Sequence, residues 1–333
     1  MFAALTAIWL VPIVAALLTP LAAFLGDKFR ASLAIAAGSV TAVVAAYSAV
    51  AGWSGVEAVA WVELPGMGVV GFGYRVDPVS LLFANLVAWI SLAVFIYSVS
   101  YMRGDPGLTR YWFLMLVFLG SMELLVLADN LLLLFFCWEI VGVCSFLLIS
   151  YWYTDDEELR RVQWVGEPPE EYPPSHCGLK AFLTTRVSDS FLLASLVVLS
   201  LRLGTLSLSE LLEKLPGSSD AILPVALLLA AVGAMGKSAQ LPFMEWLPDA
   251  MSGPSSVSAL IHAATMVKAG VYLVSRLSQL ALAWSPSVDA RPFFYYVACT
   301  GMATSLIAAL QAGAAGELKK TLAYSTASQL GYM

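Results

Sequence analysis

Residues 131–149 read Leu-Leu-Leu-Leu-Phe-Phe-Cys-Trp-Glu-Ile-Val-Gly-Val-Cys-Ser-Phe-Leu-Leu-Ile, a run of 19 residues with a single charge at Glu139. An α-helix needs about 20 apolar residues to cross the hydrocarbon core of a bilayer. The run has that length and shows no alternation of polar and apolar residues, so it predicts a membrane-spanning helix.

About ten such runs follow one another along the chain. They cover residues 2–25, 31–53, 79–101, 110–128, 131–153, 179–202, 221–240, 254–276, 292–313 and 317–333. The 333 residues are 60% hydrophobic and 12% charged, against about 45–50% and about 25% in soluble domains. The expected fold is an all-α, polytopic transmembrane helix bundle, which excludes a soluble enzyme with a single core. The net charge of −6 argues against a nucleic-acid-binding surface.

The first span and the basic residues predict an orientation. Residues 2–25 lack a basic n-region, which favours a membrane span over a cleavable signal peptide. Of the 17 Lys and Arg residues, 14 lie in the predicted connections. Nine of those face the inside if the N-terminus lies outside, which is a moderate positive-inside bias.

Two nucleotide-binding patterns are incomplete, and the cysteines are uninformative. Residues 66–71 match G-x-G-x-x-G but lie in a short loop between spans, where the glycines fit a tight hairpin. Gly236-Lys237-Ser238 resembles the end of a phosphate loop, but the glycine required first is replaced by Ala231. None of the four cysteines has C-x2-C spacing, so we expect no metal site and no cofactor in this chain.

Ionisable residues within the predicted spans carry the functional information. A charge at the bilayer centre is costly, so it faces the bundle interior, is paired and marks an ion or proton path. Glu139 lies eight residues from the start of its span, and Lys237 follows the mainly apolar residues 221–236. Moving the proton of a partner carboxylate switches a buried lysine between charged and neutral, as a proton carrier requires. The alternative is a static buried ion pair.

Four further ionisable residues leave alternatives open. Arg186 and Asp189 are spaced i, i+3 and are expected to pair locally, either in the membrane or in solvent. His262 is either hydrogen-bonded in place or part of a relay. Lys268 lies six residues further on, about 240° around the helix, and therefore contacts different neighbours.

The segment after Lys237 interrupts an apolar span. Residues 238–254 read Ser-Ala-Gln-Leu-Pro-Phe-Met-Glu-Trp-Leu-Pro-Asp-Ala-Met-Ser-Gly-Pro, with three prolines and two acids. Proline removes a backbone donor and breaks a helix. We therefore expect a discontinuous helix around residues 236–254, with polar backbone ends beside protein or water. Transporters build ion sites at such breaks, and Lys237 lies directly before this one.

Together these segments resemble the antiporter-like, proton-pumping subunits of respiratory complex I, closest to the chain 5, or subunit L, type of NADH–quinone oxidoreductase. The matching motifs are Val76–Leu81, Trp138–Tyr153, Ala181–Asp189, Gly236–Pro242, Leu247–Met251, Ser258–Val267 and Leu322–Met333. The resemblance implies two inverted five-helix repeats, each with a discontinuous helix. It divides the chain into N-terminal helices (1–110), a first repeat forming a half-channel (111–276) and the start of an incomplete second repeat (277–333).

The resemblance also implies roles for the charged residues. Glu139 becomes the acid of the first half-channel and Lys237 its partner lysine. His262 joins the connecting relay, and the proton-translocation set also includes Lys268. Arg186 and Asp189 form a modulating pair, and Lys319 or Lys320 links to the second half-channel.

The implied function is proton translocation in a redox-driven complex, coupled to electron transfer in other subunits and with no redox site in this chain. The alternatives are a subunit of a Mrp-type Na⁺/H⁺ antiporter or membrane-bound hydrogenase, and a scaffold that does not pump. Expected partners are the other membrane subunits, a separate polypeptide that completes the second half-channel if the subunit is split, and the lipid bilayer of a prokaryotic plasma membrane.

The sequence departs from the family pattern in several places. Thr185 stands where asparagine is usual, Ser188 where glycine is usual and Lys268 where threonine is frequent. Glu123 occupies an apolar position and has no assigned role, and the loop at 154–178 is longer than usual. The family continues past residue 333, so we expect a split subunit, a truncated product or a fragment that lacks a complete proton path.

Overall fold

The computed structural model describes residues 2–64, 68–167, 170–214, 220, 222–263, 265–284 and 289–333, and these residues are mostly helical. The helices are α1 (Phe2–Ala22), α2 (Asp27–Val50), α3 (Pro78–Tyr101), α4 (Leu108–Leu127), α5 (Leu131–Ile149), α6 (Arg160–Gln163), α7 (Pro174–Leu203), α8 (Leu208–Lys214), α9 (Leu223–Lys237), α10 (Trp246–Asp249), α11 (Ser255–Ala263), α12 (Met266–Trp284), α13 (Arg291–Ala314) and α14 (Leu318–Tyr332).

Eight segments of the described residues are long and apolar enough to cross a membrane. They are α2, α3, α4, α5, α7, α13, α1 together with the 3₁₀ turn Ala23–Leu25, and the segment Ser255–Trp284 that contains α11 and α12. This confirms the predicted polytopic, all-α bundle.

Two of the ten predicted spans are shorter than expected. The span at 221–240 is the 15-residue helix α9, which ends at Lys237 because the chain turns away there. The span at 317–333 is the 15-residue helix α14, whose first turn holds Lys319 and Lys320. Both are helices, but a full crossing takes about 20 residues.

An antiparallel hairpin separates α2 from α3. Strand β1 (Gly55–Leu64) pairs with β2 (Gly68–Val76), and Gly55 lies opposite Val76. A Cβ atom on Gly73 would lie 2.6 Å from the Cβ of Ala58, so this close approach of the strands requires glycine. The G-x-G-x-x-G pattern ends in β2, as the predicted hairpin requires, while residues 65–67 lie outside the described part of the chain.

The long loop at 154–178 contains short elements. A 3₁₀ turn (Glu157–Leu159) and α6 precede strands β3 (Val165–Glu167) and β4 (Glu170–Tyr172), which pair in antiparallel fashion. Residues 168 and 169 lie outside the described part. The amide of Gly166 donates to a carboxylate oxygen of Glu317 at 3.3 Å, so the loop contacts the start of α14.

Small residues bring α9 against α7. A Cβ atom on Gly233 would lie 2.6 Å from the Cβ of Leu192, and one on Gly236 would overlap the hydroxyl of Ser188. Both approaches are too close for a side chain on α9. The end of α9, which carries Lys237, is therefore held directly against α7 at membrane depth.

Side chains from other segments satisfy the backbone at the break after α9. The indole nitrogen of Trp246 donates to the Gly236 carbonyl at 3.0 Å, and the amide of Leu241 donates to the hydroxyl of Thr304 on α13, also at 3.0 Å. The Ser238 hydroxyl donates to the Val267 carbonyl on α12 at 2.8 Å. The expected discontinuous helix is present, and these hydrogen bonds tie it to neighbouring segments of the protein.

Candidate functional site

Two ion pairs connect helices α5, α7 and α9 inside the bundle. The Glu139 carboxylate on α5 pairs with the Arg186 guanidinium on α7. The Lys237 ammonium at the end of α9 lies 3.7 Å from the nearer carboxylate oxygen of Asp189 on α7. Lys237 has no exposed side-chain surface and Asp189 is 3% exposed, so the second pair is the more deeply buried.

The structure pairs these four groups differently from the expectation based on sequence. The expected partners were Glu139 with Lys237, and Arg186 with Asp189. Three residues along a helix turn a side chain by about 300°, so Arg186 and Asp189 point in directions about 60° apart. Arg186 therefore reaches α5 while Asp189 reaches α9, and no ion pair joins Arg186 to Asp189 in the part of the chain that the structure describes.

Gly142 on α5 leaves the space that both cations use. A Cβ atom at this position would lie 2.5 Å from the Lys237 ammonium nitrogen and 3.3 Å from a terminal nitrogen of Arg186. The two ion pairs are therefore neighbours, and their positive groups approach the same glycine. Any change in the charge of one pair acts on the other over a short distance and with little screening by water.

Trp138 also contacts the second pair. Its indole nitrogen donates to Asp189 at 2.5 Å, and its ring centroid lies 5.7 Å from the Lys237 ammonium nitrogen. The motif match included Trp138, but sequence reasoning assigned it no role. Its contact depends on how α5 and α7 pack, so only the adjacent Glu139 pointed to this position.

His262 and Lys268 lie outside this group of ion pairs. His262 is buried on α11, and neither ring nitrogen makes a hydrogen bond to another described residue. The alternative of a histidine hydrogen-bonded in place is therefore not what the described residues show. The Lys268 amine on α12 lies 3.9 Å from the Met333 sulfur. As expected, the two side chains have different neighbours.

Lys319 and Lys320 lie in the first turn of α14. The Lys319 amine is 3.4 Å from the carbonyl oxygen of Met251, next to α10. Lys320 lines a cleft of about 620 Å³ together with Lys180, Glu245 and Asp249, and Lys180 and Asp249 form an ion pair at 2.5 Å. The structure therefore brings these lysines to the end of α10 and not to the two buried ion pairs.

Two buried acids have contrasting surroundings. Glu123 on α4 is fully buried, and neither carboxylate oxygen has a hydrogen-bond partner among the described residues. Asp129, which is also buried, accepts hydrogen bonds from the hydroxyls of Ser207 and Ser209, both at 2.6 Å. Glu123 therefore has no structural partner in this part of the chain, and the sequence assigned it none.

A further ion pair, which the sequence did not indicate, lies at the start of α3. Asp77 caps this helix and accepts hydrogen bonds from two nitrogens of Arg276 on α12. Arg276 was predicted to be the last residue of its span, but α12 extends to Trp284 and buries its side chain. Burial raises the pKa of Asp77, but the hydrogen bonds from Arg276 and the Ser80 amide outweigh it and lower that pKa to about 2.

No group of three or more His, Cys, Asp and Glu side chains among the described residues is placed to hold a metal ion. The predicted absence of a cofactor remains an expectation.

Two family profiles match the chain. One, described as "NADH:quinone oxidoreductase/Mrp antiporter, TM", matches residues 169–333. The other, described as "NADH-Ubiquinone oxidoreductase (complex I), chain 5 N-terminus", matches residues 61–112.

Similar proteins point the same way. NADH-quinone oxidoreductase subunit L of Escherichia coli is 42% identical over 267 residues, which cover 79% of this chain and 40% of that protein. F(420)H(2) dehydrogenase subunit L of Methanosarcina mazei is 38% identical over 279 residues, which cover 78% of this chain and 38% of that protein. The chain thus spans about 40% of the length of such relatives.

Solved structures share the fold. A chain in the Mrp complex from Dietzia sp. aligns with a TM-score of 0.81 at 32% identity, covering 98% of this chain and 33% of that one. A chain of the archaeal membrane-bound sulfane sulfur reductase also aligns with a TM-score of 0.81, at 17% identity, over 98% of this chain and 63% of that one. The second likeness concerns the fold alone.

The chain therefore belongs to the antiporter-like family of membrane subunits that NADH:quinone oxidoreductases and Mrp antiporters share. Within that family it groups with the chain 5, or subunit L, type, as the N-terminal profile and the relatives indicate. It is an integral, multi-pass protein of a prokaryotic plasma membrane.

Proposed function

We propose that this chain translocates protons as a membrane subunit of an NADH–quinone oxidoreductase-like complex. Protons move through Glu139, Lys237 and His262, with Arg186 and Asp189 as modulating residues. The observation that carries the proposal is the pair of neighbouring ion pairs at the broken end of α9, where Lys237 is buried opposite Asp189.

The arrangement suits a protein that changes charge during its cycle. A buried ion pair contributes little net stability because desolvation offsets the attraction between the charges. Here the buried Lys237–Asp189 pair lies beside the half-buried Glu139–Arg186 pair, and both cations approach Gly142. Such an arrangement responds strongly to the arrival of one proton, which supports a role in transport.

A proton that binds Glu139 neutralises its carboxylate, so Arg186 loses its counter-charge. Arg186 lies one turn from Asp189 on α7 and is attracted to that remaining carboxylate. When Arg186 approaches Asp189, it competes with Lys237, and its positive charge favours neutral lysine. Lys237 then passes its proton through water towards His262 on α11. Lys268 lies further along the chain, on α12. Glu139 then gives up its proton, which recharges neutral Lys237, and Arg186 returns to the ionised carboxylate of Glu139.

Electron transfer in other subunits would drive these changes. The relatives are named as subunits of an oxidoreductase and of a dehydrogenase, which supports an assembly with other membrane subunits. A separate polypeptide would complete the second half-channel if the subunit is split. Lys319 and Lys320 are proposed to act on that side, although their contacts here are with α10 and its cleft. No cofactor is assigned to this chain.

A second candidate function is that of a subunit in a Mrp-type Na⁺/H⁺ antiporter. The alignment with the Mrp complex over 98% of the chain favours it. The subunit L relatives at 38–42% identity favour the redox-driven complex. Gene neighbours would discriminate, because a redox complex needs quinone-site and iron–sulfur subunits. A scaffold that does not pump is a third reading, and the retained Glu139, Lys237 and His262 argue against it.

The test is Lys237→Ala in the assembled complex, reconstituted into proteoliposomes. We expect proton pumping to be lost while electron transfer to an artificial acceptor continues. Lys214→Ala is the matched control, because that lysine is exposed and pairs with Glu210 on α8. Unchanged pumping in Lys237→Ala would refute the proposal.

A further inference from the structure

Trp138 and Glu139 are adjacent on α5 but contact different ion pairs. Glu139 pairs with Arg186, whereas the Trp138 indole donates to the Oδ1 atom of Asp189 at 2.5 Å. The indole is fully buried, and its ring lies close to Lys237. These two neighbouring residues of α5 therefore contact both ion pairs: Glu139 pairs with Arg186, and Trp138 contacts Asp189 and Lys237.

The two carboxylate oxygens of Asp189 have different partners. Oδ1 accepts the Trp138 hydrogen bond, while Oδ2 faces the Lys237 ammonium at 3.7 Å. A hydrogen bond to a charged acceptor is short and about twice as strong as one between neutral groups. Arg186 cannot form a two-pronged contact with Asp189 unless it displaces this indole.

From this geometry we infer that Trp138 is a positioning residue that keeps Asp189 directed at Lys237 until Arg186 is released from Glu139. The inference deepens the proposed function and rests on it. Trp138 would thus set the proton occupancy at which the two ion pairs exchange partners, without itself carrying a proton.

Tryptophan suits this role for chemical reasons. Its N–H can only donate, so it favours the ionised carboxylate and cannot accept a proton. The ring also provides a π-face for the Lys237 ammonium, which lies within the roughly 6 Å range of cation–π attraction. A basic side chain at this position would add a second positive charge beside Lys237.

The charges around Asp189 are few. Lys237 approaches from α9, and Arg186 lies on the same helix, paired with Glu139 from α5. From α10 the nearest acid is Asp249, which is paired with Lys180, nine residues earlier on α7. Nine residues are about 14 Å along a helix, so that pair acts only weakly on Asp189.

The experiment compares Trp138→Phe with the wild type in the reconstituted complex, measuring proton pumping and electron transfer over a range of pH. Phenylalanine keeps an aromatic face but removes the donor. Without the donor, the two ion pairs exchange partners at a different proton occupancy, so we expect the acidic limb of the pumping profile to move by about one pH unit. Trp112→Phe is the matched control, since that buried indole on α4 packs edge-on against Phe95 and Tyr111.

A second variant separates the donor from the shape of the side chain. Replacing Trp138 by 3-benzothienylalanine exchanges the N–H for sulfur in a ring system of nearly the same size. We expect the same displacement of the acidic limb, and this variant decides the question if Trp138→Phe does not assemble. A profile that overlays the wild type in the benzothienyl variant overturns the inference.

The Lys237→Ala variant separates the role of Trp138 from the proposed proton translocation. If it abolishes pumping while the Trp138 variants keep the wild-type profile, the role of Trp138 alone is refuted. If Lys237→Ala pumps normally, the proposed function fails, and the role of Trp138 fails with it.

Discussion

Two terminal nitrogens of Arg276 donate to the carboxylate of Asp77, at 2.5 and 3.0 Å, across 199 positions of the chain. Arg276 is buried on α12, and Asp77 caps α3 where the hairpin ends. The Tyr272 hydroxyl extends this contact, because it accepts from Arg276 at 2.9 Å and donates to the Val126 carbonyl on α4 at 2.8 Å. A few hydrogen bonds thus join α3, α4 and α12 at one end of the bundle.

Asp77→Asn is expected to destabilise the protein by about 2 kcal/mol at neutral pH, since a shift of one pKa unit corresponds to about 1.4 kcal/mol. The folded-state pKa lies below the unfolded value of 3.8, so this stability is complete above about pH 4. It is lost as the pH falls towards 2, where the variant and wild type should converge. Thermal unfolding in detergent at several pH values measures the difference.

Asp289→Asn is the control for that measurement, because Asp289 lies on the surface and its partner Arg291 is also exposed. An equal loss of stability in both variants would contradict a specific role for the Asp77–Arg276 contact.

Gly142→Ala should reduce proton pumping by at least about tenfold while leaving the fold intact. The new methyl group would lie 2.5 Å from the Lys237 nitrogen, so the ammonium must move away from Asp189. A displacement of about 1 Å at a reacting group is enough for a large loss of rate. Pumping and electron transfer in proteoliposomes provide the measurement. Gly313→Ala on α13 adds the same methyl group in open space and should behave as wild type.

Thr304→Val should destabilise the break after α9 by about 1–3 kcal/mol, because it leaves the buried amide of Leu241 without an acceptor. Thr304→Ser keeps the hydroxyl and should restore most of the stability. Unfolding midpoints of both variants test this. Thr326→Val serves as the control, since that exposed hydroxyl bonds to the Leu322 carbonyl of its own helix. Equal midpoints for Thr304→Val and wild type would show that the hydrogen bond contributes nothing.

Glu123→Leu should leave pumping unchanged and stability unchanged or raised by about 1 kcal/mol, because a buried carboxyl without a partner is costly. Asp129→Leu should cost about 3 kcal/mol, because it strands the hydroxyls of Ser207 and Ser209. Thermal unfolding of the two variants side by side makes the comparison. A loss of pumping in Glu123→Leu would place that residue on the proton path.

The helices and the break followed from the sequence because both depend on local chemistry. Runs of apolar residues specify spans, and the prolines after Lys237 interrupt one of them. Their exact lengths were less certain, as α9 and α14 illustrate. The burial of Arg276 was missed because its partner Asp77 lies far away in sequence, and counting basic residues assigns a position near a span end to the loop.

The four residues of the two ion pairs were candidates from the sequence, but their pairing was not. Depth in the membrane singled out Glu139, Arg186, Asp189 and Lys237, since each is costly without a partner. Which carboxylate meets which cation depends on the rotation of α7 relative to α5 and α9. That rotation results from packing between helices, including the contact of Gly236 with Ser188, and no local pattern encodes it.

The approach of Gly236 to Ser188 links two positions that are read separately in the sequence. The hydroxymethyl group of Ser188 occupies volume that Gly236 leaves empty. Side chains at these two positions therefore compete for the same volume where α9 packs against α7. A larger residue at either one must push α9 outward and carry the Lys237 ammonium away from its carboxylate.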